Sequence, residues 1–270
     1  MKLSLQKFFI PLLIAFSILF TSCEDEFLMP SPEKVENTQL YSEVMSELFN
    51  IWKRVDEALR NPTVIAGGQV SIDQANIAIN GSVLVIDFGN IQKLCEDGKT
   101  RRGRIEVTLS GIYGIAGSAF QLEFVSYRVN NNPVEGTIGI STKQTNESFI
   151  LTSSNFTFRD MKFNIESEIF WKTGFLSVTN DDDTLHISFS GTASRNSVPY
   201  TIGFNTVTNR DLHVAMSCDY KILSGIIFLQ HKNDSSEVIL DFIDSDQCND
   251  LVKVHFVNER YNTFIKFSGF

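Results

Sequence analysis

FQLEFVSYRV, residues 120–129, sets the fold class. Apolar and polar side chains alternate along it, and successive side chains of a strand point to opposite faces, so it reads as a half-buried β-strand. The same writing recurs on both sides. SVLVIDFG stands at 82–89, RIEVTLSG at 104–111, VEGTIGIST at 134–142, SFILTSSNFTF at 148–158 and TLHISFSG at 184–191. PYTIGFN, LHVAMS, GIIFLQHK, EVILDF, LVKVHFV and TFIKFSG carry it on to the C-terminus. Turn residues separate the runs at Asn130 to Pro133, Asn180 to Asp183 and Lys232 to Ser235. No helical crossover intervenes, so neighbours are expected to pair antiparallel as a long meander. The expected fold is mainly β: one curled sheet or open half-barrel over residues 63–270, with a β-sandwich as the alternative.

Before these runs the period changes. Tyr41, Val44, Met45, Leu48, Trp52, Val55 and Leu59 recur at steps of three and four, one face of an amphipathic helix over 33–61. Ser31 or Asn37 caps its start, and Asn61-Pro62 stops it. A single amphipathic helix cannot bury its stripe alone, so it is expected to lie on the sheet.

The first thirty residues give an address. Lys2 and Lys7 precede an apolar run from Phe8 to Phe20 that is too short to span a bilayer. Thr21 and Ser22 then precede Cys23, as in a bacterial lipobox, although Phe20 stands where Leu is usual. The expectation is a signal peptide at 1–22 and a diacylglycerol- and palmitate-type anchor on Cys23. An acidic tether follows at 23–32. Glu24, Asp25 and Glu26 look like the export signal that carries such lipoproteins to the outer face of the outer membrane. The chain of 270 residues has a net charge of −9. That balance repels nucleic acid and anionic lipid, so the membrane contact is expected through the anchor, with no nucleic-acid partner.

One repeat is visible. VLVIDFGNIQKLCEDGKTRRGRIEVTL from Val83 and EVILDFIDSDQCNDLVKVHFV from Glu237 each run strand, Asp-Phe, Cys-bearing loop, strand. The IDFG…C…DGKTRRGRI pattern at Ile86–Ile105, VEGT at Val134–Thr137 and DF…CND at Asp241–Asp250 resemble a group of uncharacterised Bacteroidota lipoproteins. The resemblance implies an outer-membrane, cell-surface location and brings no activity. Asp183-Thr184-Leu185 also matches the short O-glycosylation pattern of that phylum, which makes Thr184 a candidate acceptor.

Candidate chemistry is sparse. EDGKTRRGR holds Gly98-Lys99-Thr100, but a P-loop needs Gly at position 93, which is Lys. Lys99, Arg101, Arg102 and Arg104 remain, either as a cationic site for an acidic glycan or phosphate or as a charged hairpin loop guarding a sheet edge. Phe170 and Trp171 are adjacent and face opposite ways; either Phe170 is core and Trp171 faces outward, a candidate for stacking on a sugar, or both faces are covered, one of them by the N-terminal helix. His186, His213, His231 and His255 are scattered through strands. Cys218 with Cys248 is a candidate disulfide, Cys95 with Cys248 its rival, and free thiols the third possibility. No Cys or His spacing marks a metal site, and no cofactor is expected.

The expected function is a surface-exposed lipoprotein that acts without catalysis, as a binding or structural module for a glycan or a protein partner. A lipid or lipoprotein carrier with an apolar groove in the curled sheet is the alternative. A glycoside-acting enzyme comes third.

Overall fold

The computed structural model describes residues 28–144, 147–175, 182–203, 211–218, 221–231, 236–242 and 251–267. Cys23 and the Glu24–Asp25–Glu26 triplet lie outside the described residues. So does Cys248, and with it the Cys218–Cys248 pairing.

A long helix, α1 (Pro32–Arg60), opens the described chain. Ser31 caps it, its side chain accepting from the Lys34 amide at 3.2 Å, and Pro32 sits where no amide partner is needed. Pro62 keeps Asn61 out of helical geometry (ψ 118°), so α1 ends there. The Asn61 side chain then accepts from the amides of Thr63 and Val64 to start the short α2 (Pro62–Ile65).

Sixteen strands follow among the described residues. They are β1 (Val70–Ile72), β2 (Ala75–Asn80), β3 (Val83–Asp87), β4 (Lys93–Leu94), β5 (Thr100–Ser110), β6 (Ala119–Val129), β7 (Asn132–Thr142) and β8 (Ser148–Phe158). Next come β9 (Met161–Thr173), β10 (Thr184–Arg195), β11 (Val198–Gly203), β12 (Leu212–Ala215), β13 (Lys221–His231), β14 (Glu237–Phe242), β15 (Leu251–Phe256) and β16 (Tyr261–Lys266). They form one antiparallel sheet in nearly sequential order, and it does not close into a barrel. β11 and β12 each pair a different half of β10 and both pair β13, so two short strands bridge one gap. Both copies of the repeat are hairpins, β3 on β5 and β14 on β15.

The sheet curls because two of its long strands carry an extra residue. β6 bulges at Ser126 (φ 52°) and β8 at Asn155 (φ 51°), where register shifts on both flanks. Bulges bend a strand and raise its twist. Gly103 and Gly136 stand opposite them with positive φ. A Cβ on Gly136 would lie 2.4 Å from the Asn155 carbonyl oxygen, and one on Gly103 2.2 Å from that of Ser126. Gly136→Val is therefore expected to cost about 1–3 kcal/mol in backbone strain alone, measured as a lowered denaturant midpoint.

The concave face wraps α1. Between Asn37 and Leu59 only Gln39, Glu43, Lys53 and Glu57 escape burial, and they share one face of the helix. Trp52 packs on Trp171 at 5.6 Å, Tyr41 on Phe163 at 5.2 Å and Phe49 on Phe189 at 6.4 Å between ring centres. The helix thus touches β9 and β10 with side chains spread over three turns, and its apolar stripe is the core of the whole sheet. Trp171 belongs to that core, 1% exposed, which corrects its reading as an outward sugar platform. Phe163, Ile165, Ile169 and Trp171 share the inner face of β9, and Phe170 is the outward neighbour, 40% exposed. Among the described residues no helix is long and apolar enough to cross a membrane.

Candidate functional site

Several polar groups on α1 find partners spread across the sheet. Lys34 pairs with Glu259 at 2.6 Å in the β15–β16 turn, and Glu36 with Arg195 at 2.7 Å at the end of β10. Glu43 pairs with Arg159 in the β8–β9 turn. Arg54 pairs with Asp73 at 2.5 Å in the β1–β2 turn. Gln39 reaches the Lys266 carbonyl at 3.4 Å at the end of β16. The helix is therefore tied to both ends of the open sheet.

Glu47 is the buried member of this series. Its carboxylate faces Arg101 Nη2 at 3.3 Å and Lys99 Nζ at 3.1 Å, with Tyr127 Oη at 3.5 Å. Arg101 also grips Asp97 through two parallel hydrogen bonds of 2.7 and 2.6 Å, and donates from Nε to Tyr127 at 3.1 Å. Burial alone would push the Asp97 carboxyl up, but the bonds and charge of Arg101, joined by Lys99, take it down to about 2. The basic run is thus not one surface. Arg101 has no exposure and is a core cation, and Lys99 turns to α1. Arg102 is half-buried, and Arg104 is exposed and pairs with Glu106 at 2.6 Å. Alternation splits the four between two faces, which corrects both the cationic-site and the loop readings.

A second buried node closes the other end of the helix. Asp56 accepts from Tyr113 Oη at 2.6 Å and lies 3.6 Å from Arg60 Nη1. Arg60 also reaches Asp183 Oδ2 at 3.2 Å, and its guanidinium lies over the Trp171 ring at 5.0 Å. Burial raises the Asp56 carboxyl to about 7, against the opposing pull of Arg60 and Tyr113. Asp183, expected in a solvated turn, is buried by this contact. Thr184 begins β10, half-buried, with its hydroxyl 2.9 Å from that of Thr173. Cys95 is a buried free thiol, raised by burial, with Sγ 3.6 Å from the Asp73 carbonyl oxygen.

Two polar recesses run along the first half of α1. One, of about 430 Å³, is lined by Glu36, Glu43, Glu135, Asp160, Arg159 and Arg195 among others. The other, of about 500 Å³, takes in Ser42, Ser46, Asn130, Lys99 and Lys266. They adjoin at Gln39, Glu43, Asn132 and Arg159, so the Glu43–Arg159 pair stands at the middle of one groove. By contrast, the apolar recess between α1 and β9–β14 measures about 20 Å³, room for one water. Lys99 and the turn residues Asn130 to Pro133 carry a local sequence signal, but nothing in the sequence brings the groove's residues together. They converge because hairpin turns far apart in the chain meet at one end of the curl. No protein family, curated protein or solved structure matches the chain.

Proposed function

We propose that the chain is a surface-displayed lipoprotein that binds a polar ligand, a glycan segment, without catalysis, in the groove beside α1. The groove's lining carries the reading. Carboxylates, amides and guanidinium groups from six separate elements converge there, with donors and acceptors suited to pairs of hydroxyls. The filled concave face supports a binding module over a lipid carrier, since the apolar recess beneath α1 admits about one water. Hydrolysis would need two free carboxyl groups across one cleft, about 5–9.5 Å apart. Two of the four carboxylates in the recess of about 430 Å³, Glu36 and Glu43, are each engaged by an arginine, which supports holding a ligand, while Glu135 and Asp160 line the same recess.

Calorimetric titration of the protein with a panel of soluble oligosaccharides tests this. Glu43→Gln combined with Arg159→Gln is expected to weaken binding about 10–100-fold, since each group makes charge-assisted hydrogen bonds. The melting point should barely move, because the side chains of that ion pair are 45% and 33% exposed and solvent screens the pair. Heat from no glycan, or binding indifferent to the double substitution, would refute the groove. The anchor is tested separately: Cys23→Ser is expected to move the protein from the membrane fraction to the soluble one, read by immunoblot.

A further inference from the structure

The outer face of the sheet carries a pair of side chains that neither the core nor the groove uses. His186 in β10 and His213 in β12 stand directly opposite in register. Their ring centres are 5.0 Å apart and the ring planes cross at 68°. Leu185, Ile187, Leu212 and Val214 on either side are buried, so both imidazoles turn to the solvent side. Phe170 of β9 flanks His186 in register, and Ser224 of β13 flanks His213. Asp211, two residues before His213, is exposed and its charge acts on His186.

We propose that His186 and His213 form a cross-strand clip for a late first-row divalent metal ion, Cu²⁺ or Zn²⁺. An imidazole nitrogen binds such an ion at about 2.0–2.1 Å, and two imidazoles side by side on one ion then hold their ring centres about 5 Å apart. The 5.0 Å between the two ring centres is compatible with that arrangement. Both Cα positions are fixed by paired strands, so little order must be gained on binding. A ligand histidine must be neutral. Among the described residues no three metal-ligating side chains converge, so two imidazoles are what the described residues offer, with water to complete the shell. Imidazole ligands and the general order of divalent affinities put Cu²⁺ ahead of Zn²⁺.

Calorimetric titration of the full chain with Cu²⁺ alone and with Zn²⁺ alone is the test. One saturable site is expected at neutral pH, tighter for Cu²⁺, and lost in mild acid as the imidazoles take protons. His186→Asn or His213→Asn should each weaken it roughly tenfold or more. Melting curves without metal check that each variant folds. If a variant does not fold, nitrogen hyperfine structure in the electron spin resonance of the Cu²⁺-loaded wild type still decides: coupling to two imidazole nitrogens supports the clip. No saturable binding, coupling to fewer than two nitrogens, or a site that survives both substitutions would overturn it. The last result would place the ion elsewhere, for instance at the Asp241–His255 pair.

Discussion

Arg101→Ala is expected to lower stability by about 3–5 kcal/mol, seen as a large drop in the urea midpoint at unchanged slope. The change removes one guanidinium and leaves three groups without it. Glu47, fully buried, keeps only Lys99 at 3.1 Å and a long contact with Tyr127 at 3.5 Å. Tyr127 Oη loses its 3.1 Å donor. Asp97 loses both arms of its grip, so its carboxyl climbs from about 2 and the acid unfolding limb moves to higher pH. The sign follows from the direction. A carboxyl depressed in the fold stabilises above its unfolded pKa, and that contribution vanishes as pH falls through its folded one. The neighbours of Arg101 in the sequence should behave differently. Arg104→Ala breaks a pair whose side chains are 46% and 32% exposed, which is expected to cost under about 1 kcal/mol. Glu47→Leu with Arg101→Met is expected to recover the part of the loss that comes from the unpaired Glu47 charge, while Asp97 and Tyr127 still lack their bonds from Arg101. A double variant as unstable as Arg101→Ala would show that the pair is needed for packing rather than for charge balance.

The contrast within that basic run shows where the sequence is legible. Charge runs are usually solvated, and that prior hides Arg101. Yet Arg101 is in phase with Ile105, Val107 and Leu109, every second residue, and so belongs to the inner face. Trp171 is in phase with Phe163, Ile165 and Ile169 in the same way. Both placements follow from alternation once the strand's extent is known. The helix and its stop at Asn61-Pro62 needed no tertiary information, since proline geometry is local, and of the two cap candidates the structure uses Ser31 and places Asn37 inside the helix. The meander was legible for the same reason, because turns and short strands repeat without a crossover. The bulges also leave a trace. In FQLEFVSYRV the buried positions shift from Phe120 and Leu122 to Tyr127 and Val129, from even to odd, across Ser126. SFILTSSNFTF shifts from Phe149 and Leu151 to Phe156 and Phe158 across Asn155. The groove left no such trace. Glu36, Glu43, Arg159 and Arg195 meet only because the sheet curls back on the helix, and no local pattern encodes the meeting of distant turns.

The last expectation concerns the far end of α1, where the fold works against one of its own charges. Asp56 is held at about 7 against an ordinary value of 3.8, chiefly by burial. A carboxyl raised in the fold binds its proton more tightly folded than unfolded. Unfolding therefore releases a proton between the two values, and stability falls as pH rises from about 4 to about 7. Above that the full penalty remains, up to about 4 kcal/mol for a gap of this size. Asp183, raised in the same direction by burial, adds to the slope. Asp56→Asn removes the titration while keeping an oxygen that accepts from Tyr113, now 2.6 Å away. Arg60 retains Asp183 at 3.2 Å and the Trp171 face at 5.0 Å, so it is not left alone. The variant should match the wild type near pH 4 and exceed it increasingly toward pH 8, by an amount approaching that penalty. Urea melts across this range decide the matter. Asp56→Ala separates the charge from the hydrogen bond, since it removes the ionisation but also orphans the buried Tyr113 hydroxyl, which costs about 1–3 kcal/mol at every pH. Its curve is expected to be as flat as that of Asp56→Asn and lower by that amount. If Asp56→Asn instead keeps the wild-type slope, the proton uptake resides in Asp183, and the burial of Asp56 costs the fold far less than its surroundings imply.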